Sequence, residues 1–313
     1  MIRRHRKIWQ VHRQFSILQV DSKSSQNDRE SIQSRDSKMP SFWAQQWAAI
    51  ECMKSATSIA PVNEFGAESL AFGKLSRLSW NSTPVARSSF RFRTLIAAML
   101  SPQTRDAQTA TAFRNLEECV RQTSQSSSDA FFTAASLLQV NPEYVVAACA
   151  PVSFYKTKAR NILLASAQIE KRKYLTTHEQ SLEQAGIPTE INDLLSYHGV
   201  GPKIAYLTFS VAWGRDEGIC VDTHVHRIAN RLKWVAAQPF YQKDIQELAF
   251  VNAEQTRLQL QQLLPKHYWG AVNGLLVEFG QTICSAKRPK CSSCILRNTC
   301  AWYQTQGVAR KSE

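Results

Sequence analysis

The chain has 313 residues, 43% hydrophobic and 20% charged, with a formal net charge of +13 and a sequence pI near 9.5. That apolar content is ample for a buried core and excludes a disordered chain by composition; no apolar run reaches the length of a bilayer span, so the protein is expected to be soluble, with no membrane partner. The cationic surplus favours a polyanion, either nucleic acid or an acidic membrane surface, and charge alone does not choose between them.

The first twenty residues carry Arg3, Arg4, Arg6, Lys7 and Arg13 and no acid, interleaved with Ile8, Trp9, Val11, Phe15, Ile17 and Leu18. This reads either as a mitochondrial presequence or as a basic arm for DNA affinity or nuclear import. Residues 21–40 are polar and expected to be unstructured. Trp43, Trp47 and Ile50 recur at helical spacing, which predicts a short helix after Ser41. A further helix is expected around Leu70–Leu78. Leu95, Ile96, Met99 and Leu100 form an apolar stripe that stops at Ser101-Pro102. Asp106 can cap the next helix, with Ala110, Phe113 and Leu116 on its inner face. Asn141-Pro142 is a good helix start, and Ile162, Leu163, Ala165 and Ile169 mark another helix. Gly186-Ile187-Pro188 reads as a linker. Ile204, Leu207 and Val211 follow Pro202; Val225, Ile228, Ala229 and Leu232 follow Asp222; Trp269, Val272, Leu275, Leu276 and Phe279 precede Gly280. No alternating strand pattern is visible, so the fold is expected to be all-α.

Gly199-Val200-Gly201 lies between two helices. Glycines there permit a tight reversal with positive φ, and Pro202 suits a first helical position. The amides of such a turn can hold a DNA phosphate without reading sequence. Lys203 then falls in the first helical turn, where the dipole disfavours an ammonium. A neutral amine is a nucleophile that forms Schiff bases; the plainer reading is a surface lysine gripping phosphate. Asp222 is equally a helix N-cap before Thr223-His224-Val225 or a carboxylate that stabilises positive charge. His224 and His226, two apart on a helix, point to different sides and are not expected to share a metal.

Eight cysteines are present: Cys52, Cys119, Cys149 and Cys220 are scattered, and four form Cys284-x6-Cys291-x2-Cys294-x5-Cys300. A secreted disulfide scaffold would spread them out. The cluster suits a [4Fe–4S] centre or a zinc ion, and spacing leaves both open. Lys287, Arg288 and Lys290 lie in its first loop, a basic claw for phosphate or a merely solvated loop.

Together, Leu194-Leu195-Ser196-Tyr197-His198-Gly199-Val200-Gly201-Pro202-Lys203, Val221-Asp222-Thr223-His224-Val225-His226-Arg227 and the four-cysteine spacing resemble the endonuclease III family of helix-hairpin-helix DNA glycosylases, over roughly residues 90–303. Gly-Pro-Lys and Val-His-Arg-Ile-Ala-Asn-Arg-Leu are closest to its eukaryotic branch. The resemblance implies two helical lobes, a six-helix barrel holding the hairpin (87–215) and an iron–sulfur lobe (216–303). An N-terminal extension (1–60, basic and disordered), a joining segment (61–86) and a tail (304–313) complete the expected layout. It implies Lys203 as nucleophile, Asp222 as its partner and a [4Fe–4S] cluster rather than zinc. Leu100-Ser101-Pro102-Gln103-Thr104-Arg105-Asp106 is similar to the family segment whose glutamine, here Gln103, fills the gap left by an extruded base. Ser153-Phe154-Tyr155-Lys156-Thr157-Lys158-Ala159 is similar to the segment supplying an apolar wedge, here Phe154. The implied activity is that of a monomeric glycosylase and abasic-site lyase acting on oxidised pyrimidines in double-stranded DNA of the nucleus, the mitochondrion or both. Two departures stand out: Tyr197-His198 replaces Leu-Pro, which would loosen the hairpin or bring an aromatic ring and an imidazole near DNA, and Ser153 replaces glycine. An adenine glycosylase would lack Lys203 and carry a long C-terminal domain; a non-catalytic DNA-binding protein would need neither Lys203 nor Asp222.

Overall fold

The computed structural model describes residues 41–56, 60–73, 77–123, 131–173, 187–235 and 252–309. The basic leader, the polar stretch to residue 40, Gly186 and the last four residues of the tail lie outside them. The chain divides into two compact units, Met1–Ala44 and Gln45–Glu313; only Ser41–Ala44 of the first are described, and all other described residues belong to the second.

Among the described residues every regular element is helical, as expected. The α-helices are α1 (Ser41–Ala56), α2 (Pro61–Phe65), α3 (Ala67–Phe72), α4 (Arg77–Asn81), α5 (Pro84–Leu100), α6 (Asp106–Thr123), α7 (Ala134–Leu138) and α8 (Pro142–Ala148). They continue with α9 (Tyr155–Lys173), α10 (Ile191–Leu195), α11 (Pro202–Trp213), α12 (Thr223–Arg231), α13 (Ala253–Leu263), α14 (Trp269–Thr282) and α15 (Ala301–Ala309). No described helix is long and apolar enough to cross a membrane.

Helix α5 is the axis of the fold. From Phe92 to Leu100 every residue is buried, the mark of a helix enclosed on all sides. Helices α3, α4, α6, α9 and α11 pack around it. One apolar core runs from Leu70 to Phe209 and takes in Phe113, Leu116, Ile162 and Ala165; each large aliphatic or aromatic side chain enclosed there contributes about 1.5–3 kcal/mol. Arg93, also buried, is satisfied by the carbonyls of Leu70 (2.8 Å) and Ala71 (2.7 Å) at the end of α3 and by Glu117, which closes the orphan carbonyls of that helix.

Local chemistry sets most boundaries. Thr83 caps α5 through Ala86 N–H, Asn141 caps α8 with Pro142 at its first position, and Pro202 opens α11. Two expectations change. The helix after Ser41 runs to Ala56, burying Trp47 and Ile50, so the disorder expected over residues 1–60 does not extend across it. Gln46 on α1 donates to Thr299 O and accepts from Trp234 Nε1, anchoring α1 beside the cysteine loop. The helix expected over Leu70–Leu78 is two, α3 and α4, because Gly73 turns left-handed (φ +57°) and ends the first. Helix α14 continues through Gly280 to Thr282: a Cβ there would stand 2.5 Å from His224 Nδ1, so that glycine serves close packing of α12 on α14 rather than termination.

Candidate active site

The hairpin closes with Val200 N–H on Tyr197 O (3.1 Å) and Gly199 at φ +74°. No other residue fits at Gly199, since a Cβ would fall 2.6–2.9 Å from the side chain of Asn161 on α9. The substitution of Tyr197-His198 does not bring the aromatic ring to the surface. Tyr197 is buried in the core, where burial raises its phenol above the usual range. His198 is exposed, and both its backbone N–H and its Nδ1 meet Gln168 Oε1 at 3.0 Å. The turn is therefore tied to α9 by an N–H that a proline would lack. Gly201 and Pro202 are exposed at the start of α11, whose N-cap makes no side-chain hydrogen bond.

Lys203 follows in the first turn, half-buried, with Nζ donating to Ser101 Oγ at 3.2 Å. Ser101 ends α5, two residues before Gln103, so the hairpin and the Leu100–Asp106 segment meet at the amine. Asp222 caps α12, with Oδ1 accepting from the N–H groups of His224 and Val225 at 2.8 Å each. The charges of Lys203 and Asp222 both act on Cys220 and on His224. Cys220 Sγ lies 3.4 Å from Lys203 O, and burial pushes its thiol up to about 12. Burial lowers His224 and His226; His226 Nδ1 meets Thr256 Oγ1 at 2.8 Å and His224 Nδ1 meets Arg227 at 3.1 Å, so the two histidines are packing residues on separate faces.

Gln103 and Phe154 are exposed, Phe154 by 66%. Between their loops sits a residue the motif reading passed over. Lys158 is only 8% exposed and donates to Leu100 O (2.7 Å), Pro102 O (2.7 Å) and Thr104 Oγ1 (2.8 Å). Burial, helped by the charge of Lys203, lowers its ammonium to about 8. The sequence did hold a signal: extending the stripe Ile162, Ala165 and Ile169 one turn back along α9 reaches position 158, a cation where an apolar residue is due.

Cys284, Cys291, Cys294 and Cys300 are all free thiols and line one cavity with Ile283, Leu296 and Trp302. Among the described residues no three His, Cys, Asp or Glu side chains close in as ligands of a single ion do. Arg231, at the end of α12, donates to Cys284 Sγ (3.2 Å), Ser285 O (2.8 Å) and Ala286 O (2.9 Å), while Arg227 reaches Gly280 O (3.3 Å) and Cys284 O (3.0 Å). Lys287, Arg288 and Lys290 are exposed on the loop.

Comparison with known proteins agrees with this arrangement. The family model of the HhH-GPD superfamily base excision DNA repair proteins matches residues 96–252. The chain is 35% identical to endonuclease III-like protein 1 of Bos taurus over 83% of its own length and 72% of the bovine protein. It is 34% identical to that of Mus musculus over 83% of its length and 73% of the mouse protein. Among solved structures it is similar to a trapped endonuclease III–DNA covalent intermediate, with TM-score 0.55 and 26% identity, covering 69% of this chain and 86% of that one.

Proposed function

The chain belongs to the HhH-GPD superfamily of base excision DNA repair proteins and is a DNA glycosylase of that pathway; from that premise we propose that it is a bifunctional glycosylase and abasic-site lyase that removes oxidised pyrimidines through Lys203. The observation that carries this is a contact between sequence-distant segments: Lys203 Nζ, in the first turn of α11, donates to Ser101 Oγ at the end of α5, two residues before Gln103. The charges of Lys203 and Asp222 act in opposite directions on the same two neighbours, Cys220 and His224.

In the proposed reaction the damaged nucleotide is turned out of the stack. Lys203 Nζ, unprotonated, attacks the sugar C1′; the C1′–N bond breaks and the pyrimidine leaves with the electron pair. Two amides of α12 occupy Asp222 Oδ1, which leaves Oδ2 to take the proton released by the amine and to stabilise the cationic sugar. Ring opening gives a Schiff base at C1′. Loss of a C2′ proton then expels the 3′ phosphate, and the strand is cut by β-elimination. Gly199, Val200 and Gly201, with the amides that open α11, would hold the backbone of double-stranded DNA. Lys287, Arg288 and Lys290 would add a second, sequence-independent grip, and Gln103 and Phe154 would enter the duplex.

We assign the four cysteines to a [4Fe–4S] cluster. Four thiols that line one cavity can each take one iron of such a cluster. When bound, the cluster would clamp the basic loop and take no part in bond making. In this reading DNA lies between a lobe of residues 87–215 and the cluster lobe of residues 216–303, and the protein acts as a monomer on nuclear or mitochondrial DNA.

Borohydride trapping on abasic duplex DNA tests the nucleophile. The wild-type protein is expected to form a covalent adduct and Lys203→Ala none, with DNA affinity largely kept; an adduct formed by Lys203→Ala would overturn the assignment. An absorbance band near about 400 nm in the purified protein tests the cluster against zinc.

A further inference from the structure

Gln103 and Phe154 share an unusual backbone. Both are left-handed, at φ +54° and +56°, and among the described non-glycine residues only Lys233 joins them. Such a conformation is strained for a residue with a side chain and persists only where the surroundings over-determine it. Here the surroundings are one small polar network. Lys158 Nζ spans the turn on both sides of Gln103, through Leu100 O and Pro102 O before it and Thr104 Oγ1 after it. The backbone N–H of Lys158 donates to Phe154 O (3.0 Å), opening α9 at the second loop. Thr104 Oγ1 also accepts from Ser153 N–H (3.2 Å), one residue before Phe154, and its hydroxyl donates to Pro102 O (3.2 Å).

Every donor in this network is engaged. An ammonium has three N–H groups and all three are used, so Lys158, buried as it is, has none left for a phosphate or a sugar. Its chemistry is that of a tie, and what it ties is the root of both exposed side chains. A satisfied buried network of this kind is stiff.

We propose that Lys158 and Thr104 form a clamp that makes Gln103 and Phe154 a single two-pronged wedge, whose prongs enter the duplex together rather than independently. This rests on the reading of Gln103 and Phe154 as duplex-entering side chains. Opening a stack is unfavourable and must be offset by what enters it. Two loops held ready in the inserted geometry lose little freedom on binding, while two separately mobile loops would each pay that entropy at insertion. Lys158 and Thr104 are thus positioning residues.

The test is a double-mutant cycle read by fluorescence. Full-length protein binds a duplex carrying 2-aminopurine opposite a stable abasic-site analogue, and the rise in emission reports insertion. Gln103→Ala, Phe154→Ala and the double substitution are compared in the wild-type and Thr104→Val backgrounds; valine keeps the shape of threonine and removes the shared hydroxyl, and thermal melts confirm that each variant is folded. In the wild-type background each single substitution should lower the amplitude at least about threefold, and the double substitution should add little, as coupled residues do. In Thr104→Val the two effects should become additive, and Thr104→Ser should restore the coupling. Additive effects in the wild-type background, or coupling unchanged by Thr104→Val, would overturn the clamp while leaving both prongs as wedges. If neither single substitution lowers the amplitude, it is the wedge reading that has failed, and the clamp falls with it.

Discussion

Between Tyr197 and Lys203 the backbone holds itself: a short turn bond, one left-handed glycine and a proline at the first helical position define the path. Between Cys284 and Cys300 regular structure is limited to a single 3-10 turn at Cys291–Ser293. The carbonyls of Cys284, Ser285 and Ala286 are instead taken by two guanidinium groups one helical turn apart on α12. The hairpin is thus shaped mainly by its own residues, whereas the cysteine loop adds to its own turn bonds, such as Lys290 N–H to Ile283 O (2.9 Å), the hold of another element on its first carbonyls. Helix α12 relates the two, since the proposed partner of the lysine, Asp222, caps its start and Arg231 closes its end against the sulfur of Cys284.

The largest effect is expected where α12 begins. Asp222→Asn keeps a side-chain oxygen for the cap, and asparagine caps about as well as aspartate, so stability should hardly move. Turnover should fall by ~100-fold or more if the carboxylate handles the proton. Single-turnover kinetics beside a denaturant titration separates the two roles, and a variant with normal turnover would leave Asp222 as a helix cap alone. Next comes Gly199→Ala. The added methyl must share space with Asn161 in a left-handed backbone, so a loss of about 3 kcal/mol is expected in denaturant unfolding. A loss under ~1 kcal/mol would mean that the hairpin does not depend on its own backbone geometry.

The same division explains what could be read in advance. Proline at the start of α8 and α11, the cap at Asp222 and the stop at Ser101 are rules that span four residues, and the structure keeps them. The cysteine spacing is local too, and it brings the four thiols to one cavity. What escaped depends on residues far apart in the chain. Lys203 and Ser101 are 102 positions apart, and nothing in either segment announces their contact. The left-handed backbone at Gln103 and Phe154 is imposed by Lys158 and Thr104 and has no glycine to betray it. Gly280 packs against His224 of α12, and nothing in the sequence around the glycine announces that contact.

Arg231→Gln would sharpen the contrast from the borrowed side. It removes donors to Ser285 O, Ala286 O and Cys284 Sγ, each worth about 0.5–1.5 kcal/mol net. A loss of about 2 kcal/mol is expected and, with the cysteines as ligands of the proposed cluster, release of iron to a chelator faster by on the order of tenfold. If iron release is unchanged, the loop is held by its cysteines and the guanidinium is incidental.

The smallest effect should come from Gln168→Met, which keeps the bulk of the side chain and removes the oxygen that meets His198 N–H and Nδ1. A residue with an N–H stands where the family's hairpin has proline, and Gln168 supplies its acceptor. That N–H is at the surface, so water can replace the lost oxygen, and the cost should stay near or below about 1 kcal/mol, with DNA affinity changed by less than about fivefold. A loss of about 3 kcal/mol, as large as that expected for Gly199→Ala, would erase the difference between a self-supporting hairpin and a borrowed loop. The hairpin would then lean on α9 as heavily as the cysteine loop leans on α12, and Lys203 would owe its position to a side chain thirty residues upstream of the turn rather than to the turn itself.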